Sequence, residues 1–328
     1  HIKEAADIVR SNRGIKVDVH DVARFKRDVK VKRLLEKGET NGCFYIESPA
    51  MRGLLTKLRC NSYRSLVAAS SIIRPGVAQS GMMREYIHRF HHPDDFEYLH
   101  PVMKEQLKET YGVMVYQEDV SRAAVALAGF SHAAADRLRK VMSKKDRECH
   151  LKDFRAQFLA GARANGIAAS TIEAVWDMMM SFSGYSFCKP HSASYARVSF
   201  QAAYLKVHHP AEFMAAVISN KGGYYATFAY VSAARRMGLR VLPPDVTDSR
   251  RRWTGRGATV RVGLQAVKGL GGTTIDRIID ARRKRGFRDA EDFFREMNLR
   301  LPHWGHWKPG DWKENAEKCE EIVNNNLG

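Results

Sequence analysis

Apolar positions recur at helical spacing in segment after segment of the chain, which predicts a mainly α fold. Residues 1–40 read as two charged helices flanking Gly14–Val19. The second has an apolar face of Phe25, Val29, Val31, Leu34 and Leu35 and a stop at Gly38. Pro49 opens a helix with Met51, Leu54, Leu55 and Leu58 on one side and Arg52, Lys57 and Arg59 on the other. Tyr63–Ile73, rich in Ala and Ser, reads as a buried element that delivers Arg74-Pro75-Gly76 at its end. Gly81–Phe90 and Leu99–Glu109 follow as amphipathic helices. Tyr111–Val115 is β-prone, and Gln117-Glu118-Asp119 caps a helix running to Ala128. Ser131 is an N-cap for a helix through Val141. Leu151–Asn165, Ser170–Ser183, His191–Val207, Pro210–Ser219 and Tyr224–Met237 complete the helical series, which Gly238 ends.

Beyond Gly238 the pattern changes. Arg240–Asp245 is a short extended piece ending in Pro243-Pro244, the best candidate for a domain boundary. Trp253 and Thr259–Val262 suggest a small β element. From Gly263 the chain reads as a helix, a Gly-hydrophobic-Gly turn at Gly269–Gly271, and a second helix. Such a turn leaves backbone N–H groups free to meet a phosphate without reading sequence. A basic helix through Arg285 and an amphipathic one over Ala290–Met297 follow. Residues 299–328, with Trp304, Trp307 and Trp312 among His, Lys and Gly, belong to no recognisable element.

Charge narrows the function. The chain has 54 Lys and Arg against 36 Asp and Glu, a formal net charge of +18, which argues for a polyanionic partner, most often nucleic acid. No apolar run is long enough to span a bilayer. The start is not a signal peptide and lacks Met, so it reads as that of a fragment. Cys43, Cys60, Cys149, Cys188 and Cys319 are scattered, without zinc-ligand spacing, and fit reduced thiols in a cytosol. His88, His91 and His92 read as a solvated helix end, and Met178–Met180 as core fillers.

The densest chemistry lies in Gly184–Tyr195, Gly-Tyr-Ser-Phe-Cys-Lys-Pro-His-Ser-Ala-Ser-Tyr. A Ser-rich helix start beside Lys189 offers N–H groups, a positive dipole end and a cation to a phosphate. Tyr185 and Tyr195 could stack on a base. A helix cap with packing aromatics has the same composition. Arg74, after a buried element, stands on a rigid turn. Arg137, Arg139, Lys140, Lys144 and Lys145 form a basic run in which Lys140 shares one helical face with Lys144.

The central stretch resembles the Gly-Tyr-x-Phe-x-Lys-x-His-Ser-x-x-Tyr segment in the fingers of bacterial C-family DNA polymerases. Matching segments follow the family order: Gly-Cys-Phe-Tyr-Ile-Glu-Ser from Gly42, Ile-Arg-Pro-Gly from Ile73, Tyr-Gly-Val-Met-Val-Tyr-Gln-Glu-Asp from Tyr111, Asp-Arg-Leu-Arg-Lys-Val-Met from Asp136 and Leu-Pro-Pro-Asp from Leu242. The resemblance covers residues 15–298, and its wording is closer to the error-prone members. It departs at Lys140, where the family usually has Arg, and at Cys188–Pro190, where it has Asn-Lys-Ser or Ser-Lys-Ala.

The resemblance implies a fingers domain over 1–245, a helix-hairpin-helix module over 246–298 and an unassigned tail over 299–328. It also implies a nucleotide surface of Arg74, Arg139, Lys140, Tyr185, Lys189, His191, Ser192 and Tyr195. DNA contacts fall to Lys144, Lys145, Lys268, Gly269, Gly271 and Gly272. The family's two divalent metals are held by an Asp-x-Asp segment and a further Asp upstream of the fingers. Asp18 and Asp21 do not match that set, so Mg²⁺ is expected for a complete polymerase with its ligands outside this chain. The chain alone is then inactive, with no catalytic or metal residue of its own. The expected partners are primer-template DNA and a deoxynucleoside triphosphate. A sliding clamp and other replisome subunits would be met through other regions, in the cytoplasm and away from membranes. The alternative is a non-catalytic protein that binds DNA without sequence preference.

Overall fold

The computed structural model describes residues 1–73, 81–142, 148–181 and 188–297. Helices dominate, with one small sheet, and the chain divides into two compact units, His1–Asp21 with Tyr204–Gly328, and Val22–Ala203. The first unit opens with α1 (Ile2–Arg13).

The second unit takes the chain from α2 (Val22–Arg27) and α3 (Val29–Glu36) through α4 (Pro49–Leu58), α5 (Tyr63–Ile72), α6 (Met82–His91) and α7 (Pro101–Leu107). It continues with α8 (Gln117–Ala128), α9 (His132–Met142), α10 (Glu148–Ala164), α11 (Ala169–Met180) and most of α12 (Lys189–His208). The single helix expected after Val19 is two, because the Asp28 carboxylate accepts the N–H groups of Lys30 and Val31 and starts a new helix there. In α4 the four apolar positions named from the sequence are all buried, and Ser48 caps the helix by accepting the Met51 N–H. A Ser62/Ser65 capping box starts α5, which is buried from Ser65 to Ile72.

Helices α7 to α11 share one core, centred on Leu127, Leu138, Phe158, Trp176 and Met179. Gly161 lets α10 meet the end of α8, since a Cβ there would lie 2.2 Å from the Ala128 carbonyl oxygen. The β-prone Tyr111–Val115 forms no strand. Tyr111 and Gly112 take left-handed conformations (φ 53° and 76°), and Val113–Val115 run buried into the start of α8.

Returning to the first unit, α13 (Pro210–Asn220) is buried from Ala211 to Ser219. Around it lie α1, α14 (Thr227–Arg236) and strand β2 (Thr254–Arg256). The sheet has the order β1 (Arg240–Leu242), β3 (Thr259–Arg261), β2, with β1 parallel and β2 antiparallel to β3. β1 precedes Asp245 and its partner follows, so the sheet spans the boundary read there from the prolines. The hairpin region departs from expectation at its first helix, which is a single 3-10 turn at Leu264–Ala266. The second is α15 (Gly272–Lys284), followed by α16 (Ala290–Glu296). Leu264, Ile275, Ile278, Ala281 and Met297 form their core.

Candidate nucleotide and DNA surfaces

Two of the basic side chains, Arg139 and Lys189, reach the start of α8. Arg139 on α9 donates through Nη1 to Gln117 Oε1 at 2.8 Å, and through Nε and Nη2 to Asp136 Oδ1 at 3.0 and 2.8 Å. Lys140 Nζ lies 2.8 Å from Asp136 Oδ2. Lys189, at the first turn of α12, places its ammonium 2.5 Å from Glu109 Oε2 and 5.0 Å from the centre of the Tyr116 ring. Its backbone N–H donates to Glu118 Oε2 at 3.3 Å, so a carboxylate from α8 caps α12. Arg139 and Lys189 thus reach Gln117 and the Tyr116 ring, and Lys140 shares Asp136 with Arg139; each of the three is already matched to a carboxylate. Hydrogen bonds from Lys140, then Arg139, hold the Asp136 carboxyl below the usual carboxylate range.

Asp119 lies beneath this cluster, 1% exposed, accepting the N–H groups of Val115 and Tyr116 at 2.9 and 2.8 Å. That is the capping and structural role read from its position. Burial pushes its carboxyl up to about 6, against two hydrogen bonds that favour its charge. A carboxyl with a raised folded pKa holds its proton more tightly in the folded state. Its favourable contribution is full below about pH 3.8 and is lost as pH rises to about 6. Asp119→Asn is expected to flatten that decline in thermal midpoints measured across this window.

Along α12 the expected residues part company. His191 is exposed, its ring 6.3 Å from that of the half-buried Tyr195. Tyr195 packs against Tyr45 at 4.8 Å and edge-on to Phe44 at 5.7 Å. Tyr45 holds a left-handed backbone (φ 69°), and Ser199 donates to the Phe44 carbonyl. Ser192 differs from its expectation as a phosphate donor. It is 0% exposed, with its hydroxyl 2.6 Å from that of Ser71 on α5, inside the packing of the two helices. Arg74, Lys144, Lys145 and Tyr185 lie outside the described residues.

The hairpin surface is open. Lys268, Gly269, Gly271 and Gly272 are exposed, Gly269 has φ 81°, and no side chain caps α15. Arg251 donates to the Gly272 carbonyl and to the Asp276 carboxylate. Several neighbouring cations are structural: Arg282 ties α15 to the carbonyls of Val246 and Ser249, and Arg285 joins Asp292 and Glu296.

Sequence reasoning missed Gln117, Glu109, Asp136, Phe44 and Tyr45 as parts of these surfaces. Only Asp136 carried a signal, its spacing of three and four residues from Arg139 and Lys140. Among the described residues no group of three His, Cys, Asp or Glu side chains could hold a metal ion. Asp18 is spent on the His20 N–H at 2.9 Å.

Comparison with known proteins identifies the family of the chain. The model of the bacterial DNA polymerase III alpha subunit finger domain matches residues 1–166, and that of a helix-hairpin-helix motif matches 238–303. A D-lyxose isomerase model matches 282–328, most of which lies outside the described residues. DNA polymerase III subunit alpha of Mycobacterium tuberculosis is 36% identical over 304 residues, covering 91% of this chain and 25% of the relative. The Aquifex aeolicus subunit is 36% identical over 303 residues, and that of Staphylococcus epidermidis 35% over 295, covering 91% and 89% of this chain. The chain spans about a quarter of the length of these relatives, 26% and 27% for the latter two. With finger domain and hairpin matched in order, the chain belongs to the bacterial DNA polymerase III alpha-subunit family.

Proposed function

We propose that this chain is the part of a DNA-directed DNA polymerase that grips the incoming deoxynucleoside triphosphate and the primer-template. One observation carries the reading: Arg139 of α9 and Lys189 of α12, remote in sequence, reach the adjacent residues Gln117 and Tyr116, and Lys140 shares Asp136 with Arg139. Arg139 offers a planar fork for phosphate oxygens, and the two lysines offer point charges. His191 and Tyr195 extend the surface along α12, and Arg74 and Tyr185, outside the described residues, are assigned to it from the sequence pattern alone. Phosphates entering here must replace Glu109 and Asp136 as partners of the cations. Residues 1–245 serve as fingers and 246–298 as the duplex-holding module, with Lys144 and Lys145 on the DNA side. The tail 299–328 keeps no assigned role.

Nucleotidyl transfer uses divalent metal ions, Mg²⁺ in this reading. The described residues do not fit such a centre, so no bond-making step is assigned to them. Clamp and replisome contacts belong to other regions of a complete subunit, working in the cytoplasm. Among the described residues no helix is long and apolar enough to cross a membrane.

The chain itself is expected to bind duplex DNA without sequence preference. Log affinity should fall with log salt at about −0.9 per phosphate neutralised. Gly269→Val, which forces a β-branched residue to φ 81°, is expected to weaken that binding. The same preparation is expected to give no templated extension with Mg²⁺ or Mn²⁺. A flat salt titration would overturn the DNA reading, and extension would return Asp18 and Asp21 to consideration.

A further inference from the structure

The turn between α13 and α14, Lys221-Gly-Gly-Tyr-Tyr-Ala226, presents aromatic side chains to solvent. Tyr224 is 64% exposed, and Phe228, in the first turn of α14, is 54% exposed. Tyr225 meets the Tyr224 ring edge-on at 5.0 Å.

The turn is pinned from within. Tyr230, 3% exposed, accepts the Tyr225 N–H on its hydroxyl at 3.1 Å and packs its ring 6.0 Å from that of Tyr225. Gly223 lies so close to Tyr230 that a Cβ would fall 1.8 Å from the hydroxyl oxygen. The buried tyrosine therefore sets the turn and leaves the Tyr224 ring outside.

Charge on the same helix is of one sign. Phe228, Ser232 and Arg235 are exposed at spacings of four and three residues, which puts them on one face, with Arg236 beside them. Between Glu212 and Asp245 the chain has no acidic residue, while it has Lys221, Arg235, Arg236 and Arg240. Glu212 itself is buried against Arg13.

Exposed aromatics beside a run of cations suit a ligand with both flat apolar faces and anions. An unpaired nucleic acid strand has both. In a duplex the base faces are covered by their neighbours, so duplex DNA can use only the cations. We propose that the Tyr224–Phe228 turn and the Arg235 face of α14 form a binding platform for single-stranded nucleic acid. Bases stack on Tyr224 and Phe228, and the backbone runs past Arg235 and Arg236. The platform lies outside the residues matched by either the finger-domain or the hairpin model.

The test is fluorescence anisotropy with a labelled oligothymidylate and, in parallel, a duplex of equal length. The double variant Tyr224→Ala/Phe228→Ala is expected to lose about five- to 150-fold in single-strand affinity per stacked base, with duplex affinity kept. Tyr224→Trp/Phe228→Trp is expected to retain binding. Arg235→Ala/Arg236→Ala is expected to flatten the single-strand salt slope by about 0.7 for each phosphate no longer neutralised. Because both rings are largely exposed, any shift in thermal unfolding should be small beside the loss in single-strand affinity. Photocrosslinking with an oligonucleotide containing 5-iododeoxyuridine is expected to place an adduct on Tyr224 or Phe228. Unchanged single-strand affinity with crosslinks elsewhere, as expected if these rings cover a protein surface instead, would overturn the proposal. An equal loss on duplex would do the same.

Discussion

Arg13→Ala is expected to destabilise the first unit by about 3 kcal/mol, the lower end of the range for breaking a buried ion pair. Arg13 ends α1 and places its Nε 2.7 Å from Glu212 Oε1 and its Nη2 3.3 Å from Oε2, a two-point fork. The Glu212 side chain is 0% exposed, while that of Arg13 keeps 35%, which is why the lower end applies. Without the guanidinium, a carboxylate stays buried in the first turn of α13. His209, one turn back, offers no substitute cation, because burial lowers its pKa. Arg13→Lys should recover only part of the loss, since an ammonium cannot reproduce the fork. Arg13→Met/Glu212→Leu, which removes both charges together, should cost far less than the single change. Denaturant unfolding followed by the fluorescence of Trp253, 8% exposed in the same unit, reads these differences. A loss below about 1 kcal/mol for Arg13→Ala would contradict the buried pair.

Much of the helical layout was legible because local signals decide it. Ser48-Pro49 and Ser62 mark helix starts by chemistry that acts within three residues. The Met51, Leu54, Leu55 and Leu58 stripe needs only the period of the helix. What failed to show was long-range or concealed by residue type. Glu109 and Lys189 are eighty residues apart, and nothing local announces their contact. Ser192 read as a donor at a helix start because serine is polar. The better signal was its period: Ser192, Ala196, Ser199 and Ala203 repeat at four- and three-residue spacing, and all are buried. A helix can bury a stripe of small residues as readily as one of leucines, and such a stripe reads as polar in composition. The first hairpin helix, reduced to one 3-10 turn, has too few residues before Gly269 to show any period.

Lys189→Ala and Arg139→Ala are each expected to cost ten- to a hundredfold in nucleotide affinity or incorporation rate. The warrant is the loss of one charge-assisted hydrogen bond to phosphate, worth about 1.5–3 kcal/mol, at about 1.4 kcal/mol per tenfold. Both side chains are partly shielded, at 33% and 26% exposure, so solvent screening leaves them a substantial share of that energy. Their carboxylate partners supply a control of opposite sign. Glu109→Gln releases Lys189 from its anion and is expected to strengthen triphosphate binding, whereas a purely structural cap would only be weakened by it. The deciding measurement is single-nucleotide incorporation at varied triphosphate concentration by a complete alpha subunit carrying this chain as its finger segment. With DNA binding intact, the two alanine variants should show a raised nucleotide requirement or a reduced rate, and Glu109→Gln a lowered requirement. Wild-type nucleotide dependence in both alanine variants would contradict the account and leave the start of α12 as a helix cap.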